Sequence, residues 1–132
     1  MDPNLWGPGA WFFLHAITRT YPVRPSETKR TAAVRFFNSL KDLLPCSACA
    51  AHYGRLLQEH PVEPHVHSRT ALARWFVDIH NRVNRDVGKK QISYDDFMSV
   101  QPPHYQDTTL LVVQLTTFIV AIGALYYFCQ KR

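Results

Sequence analysis

Residues 26–49 read SETKRTAAVRFFNSLKDLLPCSAC, and this stretch decides the fold class. Ser26 suits the entry of a helix, because its hydroxyl can accept a hydrogen bond from an otherwise unpaired backbone N–H. Beyond it Ala33, Phe36, Phe37, Leu40, Leu43 and Leu44 recur at intervals of three and four, the spacing of one buried helical stripe. Pro45 stops that helix, and Cys46-Ser47-Ala48-Cys49 stands at the entry of the next. This cysteine spacing suits a redox pair or half of a zinc site.

Outward from this stretch the chain repeats the same grammar. Trp6-Gly7-Pro8 predicts the opening of a first helix, which carries Trp11, Phe12, Leu14, His15 and Ile17 until Tyr21-Pro22 ends it. The helix after the cysteines carries Cys49, Tyr53, Leu56 and Leu57 and runs to His60-Pro61. Ser68 caps a fourth, amphipathic through Leu72, Trp75, Phe76, Ile79, Val83 and Val87, with Gly88 as its terminator. Ser93 and Asp96 predict a short fifth helix containing Tyr94 and Phe97. No run alternates apolar and polar residues, so the expected class is all-α. A thioredoxin arrangement is disfavoured, since there the pair follows a strand.

The end of the chain is different. Residues 108–129, TTLLVVQLTTFIVAIGALYYFC, carry no charge, and as a helix they would reach about 33 Å. The expectation is one C-terminal transmembrane helix at 108–129, after a redox domain at 1–101 and a hinge at 102–107 containing Pro102 and Pro103. Tyr126 and Tyr127 form an interfacial belt ahead of a short basic tail at 130–132. Met1 to Leu14 lacks a basic start and a cleavable apolar run, which predicts a membrane-anchored domain on the cytosolic side. Without Lys131 and Arg132 the excess of basic over acidic side chains falls to three, in no block, and nucleic-acid binding is not expected.

A cysteine pair at a helix start has a chemical purpose, because unpaired amides and the helix dipole stabilise a thiolate. Cys46, nearer the terminus, is expected to exchange with substrate, while Cys49 lies one turn deeper. Zinc is the alternative, with Cys46 and Cys49 joined by two of His52, His65 and His67. Trp11 and His15 share one helical face, and His80 and Asn84 another, with Asn81 beside them. Such a cluster suits a flat organic cofactor, although a single tryptophan on an amphipathic helix more often belongs to the core and a single histidine is more often exposed or hydrogen-bonded.

Four separated motifs, in order, resemble the Erv/ALR family of FAD-linked sulfhydryl oxidases. They are Trp6-Gly7-x-x-x-Trp11-x-x-Leu14-His15, Tyr21-Pro22, Pro45-Cys46-x-x-Cys49-Ala50, and Trp75-x-x-x-x-His80-Asn81-x-Val83-Asn84-x-x-x-Gly88-Lys89. The resemblance implies a four-helix bundle with a short fifth helix, binding FAD beside Cys49. It implies flavin contacts from Gly7, Trp11, His15 and Tyr53, and adenine and phosphate contacts from Trp75, His80, Asn81, Val83, Asn84 and Lys89. It further implies electrons passing from substrate dithiols through Cys46 and Cys49 to FAD and dioxygen, giving hydrogen peroxide, in a homodimer joined through first helices.

The chain departs from that pattern in two ways. The family's structural disulfide is matched by Leu57 and Val77, an apolar pair expected to pack in its place. A second shuttle pair is missing, and Cys129 lies at the far end of the expected span, so a separate dithiol protein, thioredoxin-like in character, is the expected electron donor. These departures resemble the short versions in large DNA viruses, which implies a host endoplasmic reticulum or virion membrane. The alternatives are a membrane-anchored zinc-binding adaptor and a structural virion membrane protein.

Overall fold

Four side chains set the starts of the four long helices. In the computed structural model, which describes residues 1–99 and 116–119, the Asp2 carboxylate accepts from Asn4 N–H and opens α1, Pro3–Thr20. Ser26 accepts from Lys29 N–H and opens α2, Glu27–Leu43. Cys46 Sγ accepts from Cys49 N–H at 3.2 Å and opens α3, Ser47–Glu59. Ser68 accepts from Ala71 N–H and opens α4, Arg69–Asp86. Each cap satisfies an amide that the helix itself leaves unpaired. Gly88 ends α4 with φ +69°, a conformation that side chains resist. Ser93 Oγ accepts from Asp96 N–H at the start of α5, Tyr94–Ser99.

The first helix starts earlier than expected. Asp2-Pro3 supplies both a cap and a first-turn proline, so Trp6 and Gly7 lie inside α1 together with Pro8. A short 3-10 turn, Glu63–His65, also joins α3 to α4 between Pro61 and His67. The described residues are otherwise helical or loop, without a strand.

α1 packs along α4, and α2 packs along α3. The two pairs close on aromatic rings: Phe37 of α2 is fully buried, edge-on to Trp75 at 5.3 Å and tilted against Phe76 at 5.6 Å. Their polar neighbours are paired. Trp75 Nε1 donates to the His60 carbonyl at 3.0 Å, Tyr53 hydroxyl to the Phe37 carbonyl at 3.1 Å, and Tyr21 hydroxyl to the Val66 carbonyl at 2.9 Å. A second, smaller cluster of Ala73, Val77 and Phe97 seats α5, with Ile92 and Tyr94 packed against it. Arg74 lies over the Tyr94 ring at 4.3 Å and Arg19 over Phe97 at 5.7 Å.

Two expectations need restating here. Leu57 belongs to the main cluster and Val77 to the smaller one, so they do not form one compensating apolar pair; the cluster of Val77 draws on Tyr94 and Phe97 of α5 and on Ile92 just before it. Among the described residues no helix is long and apolar enough to cross a membrane. The span expected at 108–129 lies outside those residues except for 116–119, which are helical.

The seam between α1 and α4 contains two histidines, with His15 Nε2 and His80 Nδ1 2.7 Å apart. Burial, then His80 and Arg19, lower the His15 pKa to about 4; burial, then Lys89, lower that of His80 to about 4. Both rings are therefore neutral near pH 7 and share one proton along the hydrogen bond. A histidine of the unfolded chain titrates near 6.5, so between about 4 and 6.5 the unfolded chain binds more protons and stability falls as pH falls.

Two measurements check this packing. Phe37→Ala should cost about 3–5 kcal/mol in urea denaturation, because the ring has no exposed surface and joins both helix pairs. The melting temperature should drop as pH is lowered from 7 towards 4, beginning near 6.5, and His15→Gln should flatten that slope between pH 7 and 5 whatever it does to stability at pH 7.

Candidate functional site

Where the aromatic packing stops, a cavity of about 490 Å³ opens between the two helix pairs, in the size range of small-molecule sites. Its walls are mostly apolar. Trp6, Gly7, Trp11 and Leu14 face it from α1, and Leu40 and Leu44 from the end of α2. Cys49, His52 and Tyr53 come from α3; Phe76, His80, Val83 and Asn84 from α4; Val87 and Lys89 follow α4. A Cβ built on Gly7 meets no atom within 4 Å, so the protein's own packing does not require glycine there and the open space belongs to the cavity.

Cys46 and Cys49 form a disulfide at the start of α3. The two sulfurs are placed differently. Both are half-buried, but Cys46 caps the helix outside the cavity lining, whereas Cys49 is on the wall. Trp11 stacks on His80 at 3.8 Å with the planes 5° apart, and both rings line the cavity. Tyr53 is buried with its hydroxyl tied to backbone, and burial raises its pKa, so it stays a neutral phenol.

The expected site residues divide into two groups. Gly7, Trp11, Cys49, Tyr53, His80, Val83, Asn84 and Lys89 share the cavity. His15, Trp75 and Asn81 do not line it. His15 stands behind His80 as its hydrogen-bond partner, and Trp75 is tied to the His60 carbonyl in the core. Asn81 exchanges two hydrogen bonds of 2.8 Å with the backbone of Ile92, anchoring the segment before α5. Asn84 does both jobs: it lines the cavity, and its Nδ2 donates to the Lys90 carbonyl while Lys89 N–H donates to its backbone carbonyl at 2.7 Å. That turn brings Lys89 to the cavity.

Several wall residues were not expected to border a cofactor, among them Trp6, Phe76 and the pair Leu40 and Leu44, and His52 was expected only as a candidate zinc ligand. Trp6 was legible from its place in the first motif, and His52 from its position one turn after Cys49. Trp6 Nε1 is buried without a hydrogen-bond partner among the described residues, which leaves a donor at a cavity wall. The zinc alternative finds its histidines engaged elsewhere. His52 Nε2 lies 2.7 Å from Asp86 Oδ2, His67 Nδ1 donates to the Pro64 carbonyl, and His65 stacks on Trp75. Among the described residues no three His, Cys, Asp or Glu side chains gather as a metal site.

The described residues fit FAD in three respects: flat aromatic and apolar walls, an unpaired indole donor, and a lysine at one end of the cavity for phosphate charge. Comparison with known proteins bears on the same point. A probable FAD-linked sulfhydryl oxidase of Acanthamoeba polyphaga mimivirus is 39% identical over 97 residues, covering 73% of this chain and 68% of that protein. A putative FAD-linked sulfhydryl oxidase of Invertebrate iridescent virus 6 is 33% identical over 94 residues, covering 67% of this chain and 85% of that protein. The chain spans only 46% of the yeast mitochondrial FAD-linked sulfhydryl oxidase ERV1, at 31% identity. The crystal structure of the FAD binding domain of Erv1 from Saccharomyces cerevisiae superposes with a TM-score of 0.69 at 29% identity, over 74% of this chain and 90% of that one. The Erv1 / Alr family model matches residues 8–103, which include the capped cysteine pair and every cavity residue from Pro8 onward, and the chain belongs to that family.

Proposed function

We propose that this chain is an FAD-linked sulfhydryl oxidase that makes disulfides in other proteins. The observation that carries the reading is the division of the cysteine pair, both half-buried, with only Cys49 on the wall of an aromatic cavity and Cys46 outside it. A redox pair so placed can take electrons from outside and deliver them inside.

The protein's own part in the reaction follows from the α3 start. A substrate thiolate attacks Cys46 Sγ, the Cys46–Cys49 bond breaks, and Cys49 leaves as a thiolate facing the cavity. A second substrate thiol then attacks the substrate sulfur of the mixed disulfide. Cys46 is released as a thiol, in the capping position where the α3 amides favour its thiolate. FAD, when bound, supplies a two-electron acceptor that dioxygen returns to the oxidised state, so one dithiol and one O2 yield one disulfide and one H2O2. Gly7, Trp11 and Tyr53 would hold the planar ring, Trp6 offers a hydrogen-bond donor, Val83 and Asn84 would face the adenine portion, and Lys89 would offset the diphosphate charge. Largely apolar walls lower the polarity around Cys49.

The reading extends to partners. A separate dithiol protein, thioredoxin-like in character, delivers electrons to Cys46 directly, since the chain carries no second cysteine pair. α1 exposes Leu5 and Phe13, at 80% and 58%, and half-covers Phe12, an apolar face that suits a second copy of the chain. Residues 108–129 tether the domain to a membrane, supported by their uncharged run and the tyrosine belt, with the domain on the cytosolic side of an endoplasmic reticulum or virion membrane.

The purified protein should be yellow and consume oxygen with a small dithiol. Cys46→Ala and Cys49→Ala should each abolish that consumption while keeping the flavin absorption, and Cys49→Ser should accumulate a Cys46 mixed disulfide with a reduced thioredoxin-like protein. A colourless preparation, or turnover surviving either alanine, would refute the reading.

A further inference from the structure

His52 belongs to the cavity, yet nothing in the disulfide exchange described above uses it. It sits on α3 three residues after Cys49, on the same helical face. Helical side chains lean towards the N-terminus of their helix, the direction of the turn that bears the cysteines, and both His52 and Cys49 line the cavity. Its Nε2 is 2.7 Å from Asp86 Oδ2 of α4, a link between the two helix pairs. An ionised carboxylate can only accept, so Nε2 carries the proton and Nδ1 is the basic nitrogen. Nδ1 makes no hydrogen bond among the described residues. The side chain is 23% exposed, covered enough to be held in place and open enough to exchange protons with water; Asp86 is 51% exposed.

We propose that His52, oriented by Asp86, is the base that takes the proton of the Cys49 thiol at Nδ1 and releases it to solvent. The inference rests on the oxidase reading and adds the proton's route to it. Cys49 leaves the exchange as a thiolate, takes a proton by equilibration with water into the resting thiol, and reacts only as the thiolate. The step is a proton transfer: the Cys49 S–H bond breaks, an N–H bond forms on His52, and no electrons change owner. A thiolate and an imidazolium then face each other, with the Asp86 carboxylate balancing the cation. Other titratable groups around the cavity do not compete for this place. α1 and the end of α2 contribute none to its walls; Tyr53 on the same helix is a buried phenol bonded to backbone; His80 on α4 bonds to His15; Lys89 is a cation already.

The test uses the full flavin-loaded chain with Cys46→Ala, which leaves Cys49 as the thiol at the cavity. Iodoacetamide labelling of the Cys49 peptide is followed against pH by mass spectrometry, with the Cys129 peptide as reference. Adding His52→Gln should raise the labelling midpoint of Cys49 by about one pH unit or more, slowing labelling near pH 7 about tenfold, without moving Cys129. Asp86→Asn should shift it in the same direction by less. In the intact pair, His52→Gln should lower kcat for a small dithiol about 100-fold with KM little changed. An unchanged Cys49 midpoint in His52→Gln would overturn the proposal, even if that variant lost flavin or melted earlier, because then His52 only braces α3 against α4. Oxygen consumption by the unsubstituted protein checks the oxidase reading separately.

Discussion

The ring of Phe37 is where two helix pairs become one domain. α1 with α4, and α2 with α3, are each built by ordinary side-by-side packing, and neither pair alone buries its apolar stripe. Phe37 reaches across from α2 to Trp75 and Phe76 on α4, and its carbonyl also holds the Tyr53 hydroxyl. Packing at this level fills one end of the space between the pairs. The other end stays open, and the cavity is that remainder, with the cysteine pair at its rim because α3 begins there.

The cavity's electrical character follows from burial more than from charge. His15 and His80 are paired and held neutral, Tyr53 is a buried phenol, and the remaining walls are largely hydrocarbon and indole. Against that background two groups stand out, Lys89 at the turn after α4 and the disulfide at the start of α3. A medium of this kind strengthens each polar contact made inside it. It also makes the unpaired Trp6 N–H a costly vacancy in the hydrogen-bond pattern, one that an acceptor on a bound molecule would fill.

Local features were readable from sequence because their causes are local. Ser26, Ser68 and Ser93 cap as their positions suggest, Pro45 and Gly88 stop helices, and the stripe from Ala33 to Leu40 faces the core, whereas Leu43, expected in the same stripe, is 72% exposed on the last turn of α2. Trp6-Gly7-Pro8 predicts the start of α1 because proline favours a first turn, yet Asp2-Pro3 upstream carries the same signal with a better cap. Which motif residues reach the cavity depends on the rotation of α4 against α3, and no spacing rule reports that. Trp75 and Asn81 share a helix with His80 and Asn84, but their partners are the backbones of His60 and Ile92, contacts 15 and 11 residues away in the chain. Asp86 and His52 are 34 residues apart, and their meeting is a fact of tertiary structure.

The distribution of indoles has an optical consequence. Two of the chain's three tryptophans, Trp6 and Trp11, border the cavity, and the third, Trp75, abuts the same aromatic core. Nearly all the intrinsic ultraviolet emission of the domain therefore originates within energy-transfer reach of whatever occupies that space. A blue-absorbing guest would darken the protein as it enters, and its departure would restore the glow, so the fold carries its own fluorescent gauge of occupancy.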